Sequence, residues 1–186
     1  MISPVVQQIF DVFKNRGSEN YGSEAVTQLQ HAIQSGMLAQ RDGASQSQII
    51  AALLHDIGHI LGKNPLPDHP SQNYDDKHET SAYAWLLKHF GLAIADPVKL
   101  HVAAKRYLCT VDPAYSQTLS PTSLKSFYDQ GGTMNDQEKS QFEQETYYRE
   151  ALQLRRWDDL AKDPAMQMLD IDQRIGYEYS FAEKAR

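Results

Sequence analysis

Ser45–Leu61 reads SQSQIIAALLHDIGHIL, and this stretch decides the fold. Ser45 followed three residues later by Gln48 is a capping-box pattern, in which each side chain satisfies a backbone donor at a helix start. Ile49 to Leu54 is apolar on nearly every side, which predicts a buried central helix running to about Leu61. Into that helix the sequence sets His55-Asp56, with His59 one turn further on. Adjacent helical residues project roughly 100° apart, so an imidazole and a carboxylate can reach one pocket, the carboxylate able to bridge two ions. His55 and His59, four apart, share a face. A zincin has this spacing too, but its general base is Glu; Asp56 is one methylene shorter and suits direct ligation.

Working outward, helical periodicity dominates and no run of alternating β-branched residues appears. Pro4–Lys14 carries Val5, Val6, Ile9, Phe10 and Phe13 on one stripe, ending near Gly17. A second helix is predicted from about Ser23 to Gln40, stopped by Asp42-Gly43. Gly62–Asn73, with three prolines, reads as a loop. Further helices are predicted over Asp75–Phe90, from Asp96-Pro97 to Tyr107, and from Ser120-Pro121 to Gly131-Gly132. A long helix capped by Asn135 and Glu138 carries Trp157 and Asp158, and a last one spans Met166–Lys184, bent near Gly176. With no repeat and no linker, the expected architecture is all-α, a single-domain bundle spanning residues 1–186.

The net charge of −6, without a basic run, argues against a nucleic-acid or anionic-membrane partner. Cys109 is the sole cysteine, so neither an internal disulfide nor a thiolate cluster is available. The N-terminal stretch lacks the continuous apolar core of a signal peptide, and the expectation is a cytoplasmic protein. A buried metal site therefore has to use nitrogen and oxygen. His31, His55, Asp56, His59, His78, His101 and Asp158 are the candidates, drawn from at least four predicted helices; only His69 and His89 remain outside the group. One buried histidine is ordinarily a hydrogen-bonded core residue, but four falling mid-helix beside Asp56 favour a metal centre. Lys105 shares a helix face with His101, which suits either an anionic substrate group or a surface lysine lying along its helix. Asp158 has acidic neighbours in Asp159 and Asp163, so spacing alone does not select it, and Asp159 reads as solvated.

The order His31, His55-Asp56, then distant Asp158 resembles the HD-domain superfamily of metal-dependent phosphohydrolases. His78 and His101 are similar to the extra ligands of its di-metal members. Further segments extend the resemblance over nearly the whole chain: His101-Val-Ala-Ala-Lys105-Arg-Tyr107, Gln130-Gly-Gly followed by Met134, Tyr21 with Glu24, and Arg155-Arg-Trp-Asp158. Together they resemble the mixed-valent di-iron oxygenase branch typified by glycine-forming 2-amino-1-hydroxyethylphosphonate dioxygenase. The resemblance implies two iron ions (Fe2+/Fe3+), the first held by His31, His55, Asp56 and Asp158, with Asp56 bridging to a second that His78 and His101 complete. It implies that Tyr21 occupies the first iron until substrate arrives, that Glu24 partners Tyr21 and receives a substrate ammonium, and that His59, Lys105, Ser123, Gln130 and Arg155 surround a phosphonate. Around Pro121-Thr-Ser123 and at Asp129 the local sequence departs from that branch. The implied reaction uses O2 to cleave the C–P bond of a 1-hydroxyalkylphosphonate, giving phosphate and a carboxylate such as glycine. The alternatives are an HD phosphohydrolase acting on a small phosphate ester or nucleotide, and a regulatory metal-binding module. Tyr21 and Glu24 separate the first from the second, since hydrolysis has no evident use for them.

Overall fold

A computed structural model describes residues 3–61 and 78–168, the side chains of 78–81 excepted. Among the described residues there is no strand, only an isolated antiparallel bridge between Asn20 and Thr27. The helices are α1 (Pro4–Arg16), α2 (Gln28–Arg41), α3 (Gln46–Leu54), α4 (Gly58–Leu61), α5 (His78–Phe90), α6 (Leu92–Val111), α7 (Pro121–Asp129), α8 (Asp136–Glu143) and α9 (Tyr148–Leu160), with a 3-10 turn at Tyr115–Thr118. The expected 62–73 loop lies outside the described residues, as does the expected final helix beyond Met168; Met166–Met168 are not helical.

The all-α architecture is as expected, and α2, α3, α6 and α9 pack together at its centre. Their apolar faces, with α1 and α5, form one core from Ile9, Leu53, Leu54, Ile57, Leu86, Val98, Leu154 and Trp157. No described helix is long and apolar enough to cross a membrane.

Four elements have boundaries that differ from the sequence reading, and α6 also runs to Val111, one turn past the expected Tyr107. The second helix starts at Gln28, not Ser23, because Thr27 and Gln30 form the capping box that fixes its start. The preceding residues fold back instead: Tyr21 N–H donates to Val26 O and Gln28 N–H to Glu19 O, with Gly22 turning at φ 56°. Tyr21 and Glu24 consequently stand on a loop. The expected single helix through Leu61 breaks at His55–Ile57. There Ile57, His59 and Ile60 each donate to the carbonyl three residues back, tightening the chain into a turn before α4 resumes at Gly58.

Pro97 does not open its helix. α6 begins at Leu92, after Gly91 (φ 82°), and runs through the proline. A proline there forfeits a backbone hydrogen bond; burial of Ile94, Ala95 and Val98 in the core compensates. The expected long helix after Asn135 splits into α8 and α9. Phe142 and Ala151 share one core cluster around Leu100, Ala104 and Met134. In an unbroken helix their nine-residue separation would put them on opposite faces, at 100° per residue, so the turn at 144–147 is what buries both.

Candidate metal centre and its cationic flank

Three imidazoles converge from three elements. His31 comes from the first turn of α2, His55 from the C-terminal cap of α3 and His101 from the middle of α6; all are buried. Each is oriented by its Nδ1–H, which donates to a backbone carbonyl: His31 to Ala161 O (2.8 Å), His55 to Ala52 O (2.8 Å) and His101 to Val98 O (2.6 Å). A carbonyl only accepts, so Nδ1 carries the proton and each Nε2 presents a lone pair inward. This outer hydrogen bond is the usual way a metal-binding imidazole has its tautomer fixed.

What faces those lone pairs is more negative density. His31 Nε2 and His55 Nε2 lie 3.1 Å apart. Asp56 Oδ2 lies 3.5 and 3.3 Å from them, and Asp158 approaches them to 3.4 and 3.7 Å. Both Asp158 oxygens are buried and accept no hydrogen bond of good geometry, although Arg155 Nη1 comes within 2.6 Å of Oδ2. Lone pairs facing carboxylates in a dry interior require a cation among them. Donor atoms bonded at about 2.1 Å to one ion sit roughly 3.0–3.4 Å from one another, close to the spacings found. His31, His55 and Asp56 could thus hold a metal ion, with Asp158 beside them. The same pull acts on protons: burial opposes charge on His55, but Asp56 and Asp158 overcome it and push its pKa up to about 10.

The second Asp56 oxygen looks the other way. Oδ1 lies 3.7 Å from His101 Nε2 and 3.9 Å from His59 Nε2. The tight turn after α3 therefore aims the two Asp56 oxygens at different imidazole sets, the arrangement of a bridging carboxylate. His78 opens α5, but its side chain lies outside the described residues.

Tyr21 covers the centre. Its ring stacks on His31 with centroids 3.8 Å apart and planes 12° from parallel. Burial, then the charges of Asp158 and Asp56, hold its hydroxyl well above the usual tyrosine range.

On one flank three cations gather against α7. Lys105 Nζ donates to Ser126 Oγ (2.6 Å), Lys162 Nζ to Ser123 Oγ (2.6 Å), and Arg155 Nη2 lies 3.5 Å from Ser123 Oγ. Ser120, Ser123 and Ser126, at three-residue spacing, form the hydroxyl stripe they meet. Burial first, then the Arg155 charge, lowers the Lys105 pKa to about 7, the mark of a cation short of anions. Lys105 is therefore buried beside the centre and not a surface lysine.

Arg155 is less free than a bare substrate cation, because it pairs with Asp158 on one side and grips Asp159 with Nε and Nη2 on the other. Asp159 also accepts from Tyr115 Oη (2.6 Å), so the solvated reading of Asp159 is incorrect. Glu24 accepts from Ser120 Oγ (2.5 Å) and lies 3.4 Å from Lys162. Gln130 caps α7 and keeps a buried Oε1 without a hydrogen-bond partner. Sequence reasoning missed Lys162 and Asp159. The available signal was spacing, since Arg155, Asp158, Asp159 and Lys162 fall at i, i+3, i+4 and i+7 along one face.

Fold and site together define a helical protein with a buried imidazole–carboxylate centre and a cationic flank suited to a small anion. No family model matches the chain. Over 172 residues it is 42% identical to hydroxymethylphosphonate dioxygenase of Gimesia maris, covering 90% of this chain and 83% of that one. It is 36% identical to the glycine-betaine-forming [1-hydroxy-2-(trimethylamino)ethyl]phosphonate dioxygenase of Leisingera caerulea, covering 89% and 84%. An uncharacterized protein of Acanthamoeba polyphaga mimivirus is 34% identical, covering 94% and 81%. The chain belongs to the phosphonate dioxygenase family, and it is an O2-dependent oxygenase.

Proposed function

We propose that the whole chain is one HD-type domain holding two iron ions, and that it cleaves the C–P bond of a 1-hydroxyalkylphosphonate with O2. The balanced reaction converts R–CH(OH)–PO3 dianion and O2 into R–COO−, hydrogen phosphate and one proton. The observation that carries this reading is the convergence of three inward Nε2 lone pairs and two carboxylates beside Lys105, Arg155 and Lys162. The relatives named for phosphonate dioxygenation support it independently.

His31, His55, Asp56 and Asp158 would hold the first ion; Asp56 would bridge to the second, with His101 and His78. The metal pair, when bound, supplies O2 activation and one-electron chemistry that side chains lack. The chain's own residues do the rest. Lys105 and Arg155 offset the phosphonate charge, which is costly to take from water. Ser123, Gln130 and His59 supply hydrogen bonds that orient the carbinol carbon. Tyr21, stacked over His31, closes the centre to water and has to swing aside for the substrate hydroxyl.

The aminated substrate read from the sequence depends on Glu24 as an ammonium receptor. Here Glu24 has Ser120 and Lys162 as partners, so the substrate proposed is the wider class of 1-hydroxyalkylphosphonates. Phosphorus NMR tests the reaction: iron-loaded protein under air should convert a 1-hydroxyalkylphosphonate to inorganic phosphate, and the same sample without O2 should not. Phosphate formed equally without O2 would replace this reading with hydrolysis.

A further inference from the structure

Glu24 and Lys162 meet at the edge of the centre, between Tyr21 and the start of α7. Lys162 comes from just beyond α9, where α9 has already delivered Arg155 and Asp158. Its Nζ donates to Ser123 Oγ at 2.6 Å, lies 3.4 Å from both Ser120 Oγ and Glu24 Oε1, and stands 5.8 Å from the centroid of the Tyr21 ring. Glu24 takes a second contact, 2.5 Å, from the Ser120 hydroxyl that caps α7. Both charged side chains are largely buried. Ser23 Oγ and Thr122 Oγ1, 2.6 Å apart, pin the same loop to the same helix end.

We propose that Lys162 is a specificity-determining residue: it satisfies Glu24 from within the protein and so selects 1-hydroxyalkylphosphonates whose carbinol carbon carries no cationic group. This rests on the proposed C–P cleavage at the same site. An incoming ammonium has to displace Lys162 from Glu24, and it then sits beside Lys162, Arg155 and Lys105, three like charges in a poorly solvated place. A buried carboxylate that already has its cation gains nothing from a second one, and the displaced lysine loses its partner. A trimethylammonium group is disfavoured further, since it is bulkier and donates no hydrogen bond to the carboxylate. A substrate bearing only hydrogen on that carbon leaves the pair intact.

The test compares kcat/KM for hydroxymethylphosphonate and 2-amino-1-hydroxyethylphosphonate on the iron-loaded protein. The unmodified protein should prefer the former by about tenfold or more, and Lys162→Met should shift that ratio toward the aminated compound by about tenfold, since it leaves Glu24 as an unpaired anion. Lys162→Arg, which keeps the charge, should retain the original preference. Preference of the unmodified protein for the aminated substrate, or a ratio unchanged by Lys162→Met, overturns the proposal. Glu24→Gln covers the case in which Lys162→Met does not fold: it leaves Lys162 without its counter-charge, so the preference for hydroxymethylphosphonate should hold or grow, whereas a shift of the ratio toward the aminated compound overturns the proposal. Calorimetric binding of the two phosphonates reads the same preference without turnover. Binding with the expected ratio but no phosphate release overturns the oxygenase reading alone, and binding of neither overturns both.

Discussion

Asp159 links Tyr115 to Arg155, and Arg155 links Asp159 to Asp158, so a chain of buried charges runs up to the metal centre. Removing one member leaves the guanidinium only partly paired in a dry site. Asp159→Ala should therefore cost about 3 kcal/mol, lowering Tm by roughly 6–12 °C for a domain of this size, as thermal denaturation would show. Asp56→Ala should leave the helices intact by circular dichroism and retain well under about one ion per chain by metal analysis, because on the proposed assignment both ions would lose a ligand at once. Lys105 supplies a pH signature. Its pKa is lowered to about 7 in the free site, so at pH 8 roughly nine-tenths of the population is neutral, and a bound dianion restores the ammonium. Phosphonate binding at that pH should take up about 0.9 proton, measured by calorimetry in buffers of different ionisation enthalpy, and Lys105→Met should abolish the uptake. Affinity falls as pH rises above the free-site value, because the proton must then be drawn from solution.

At the scale of elements, the turns carry the site more than the helices do. The capping box of Thr27 and Gln30 decides where α2 begins, and thereby whether Tyr21 stands over His31. Thr27→Ala should cost about 1 kcal/mol of stability, read as a shift in denaturant midpoint, and should slow turnover further by loosening the Tyr21 loop. The boundaries legible in the sequence are those set by local chemistry: Pro4 and Gly17 around α1, Ser45 with Gln48 before α3, Ser120-Pro121 before α7, Asn135 with Glu138 before α8. Those that were not are set by tertiary packing. Pro97 is carried inside α6 by the core contacts of the turn before it. The 144–147 break exists because Phe142 and Ala151 must face one cluster. The metal-ligand candidates were legible because few other roles would collect so many histidines from separate helices beside His55-Asp56. Lys162 and Asp159 were not, since nothing local separates a buried lysine or aspartate from the many solvated ones.

For the whole molecule, the central helices α2, α3, α6 and α9 act as a rigid frame that holds opposing lone pairs and carboxylates in place at a cost that a proton or a metal ion offsets. Metal binding should therefore stabilise the fold as well as complete the site. The same frame keeps Lys105, Arg155 and Lys162 on one flank, which gives an anionic substrate its direction of approach. In the proposed reaction these two halves together direct O2 at a C–P bond. The most direct measurement is the ratio of O2 consumed to inorganic phosphate formed by the iron-loaded protein acting on hydroxymethylphosphonate, with an oxygen electrode and a phosphate assay run on one sample. One O2 should disappear for each phosphate formed, and Asp56→Ala should show neither change. Phosphate released without O2 consumption, or O2 consumed with the C–P bond intact, rules out the proposed reaction.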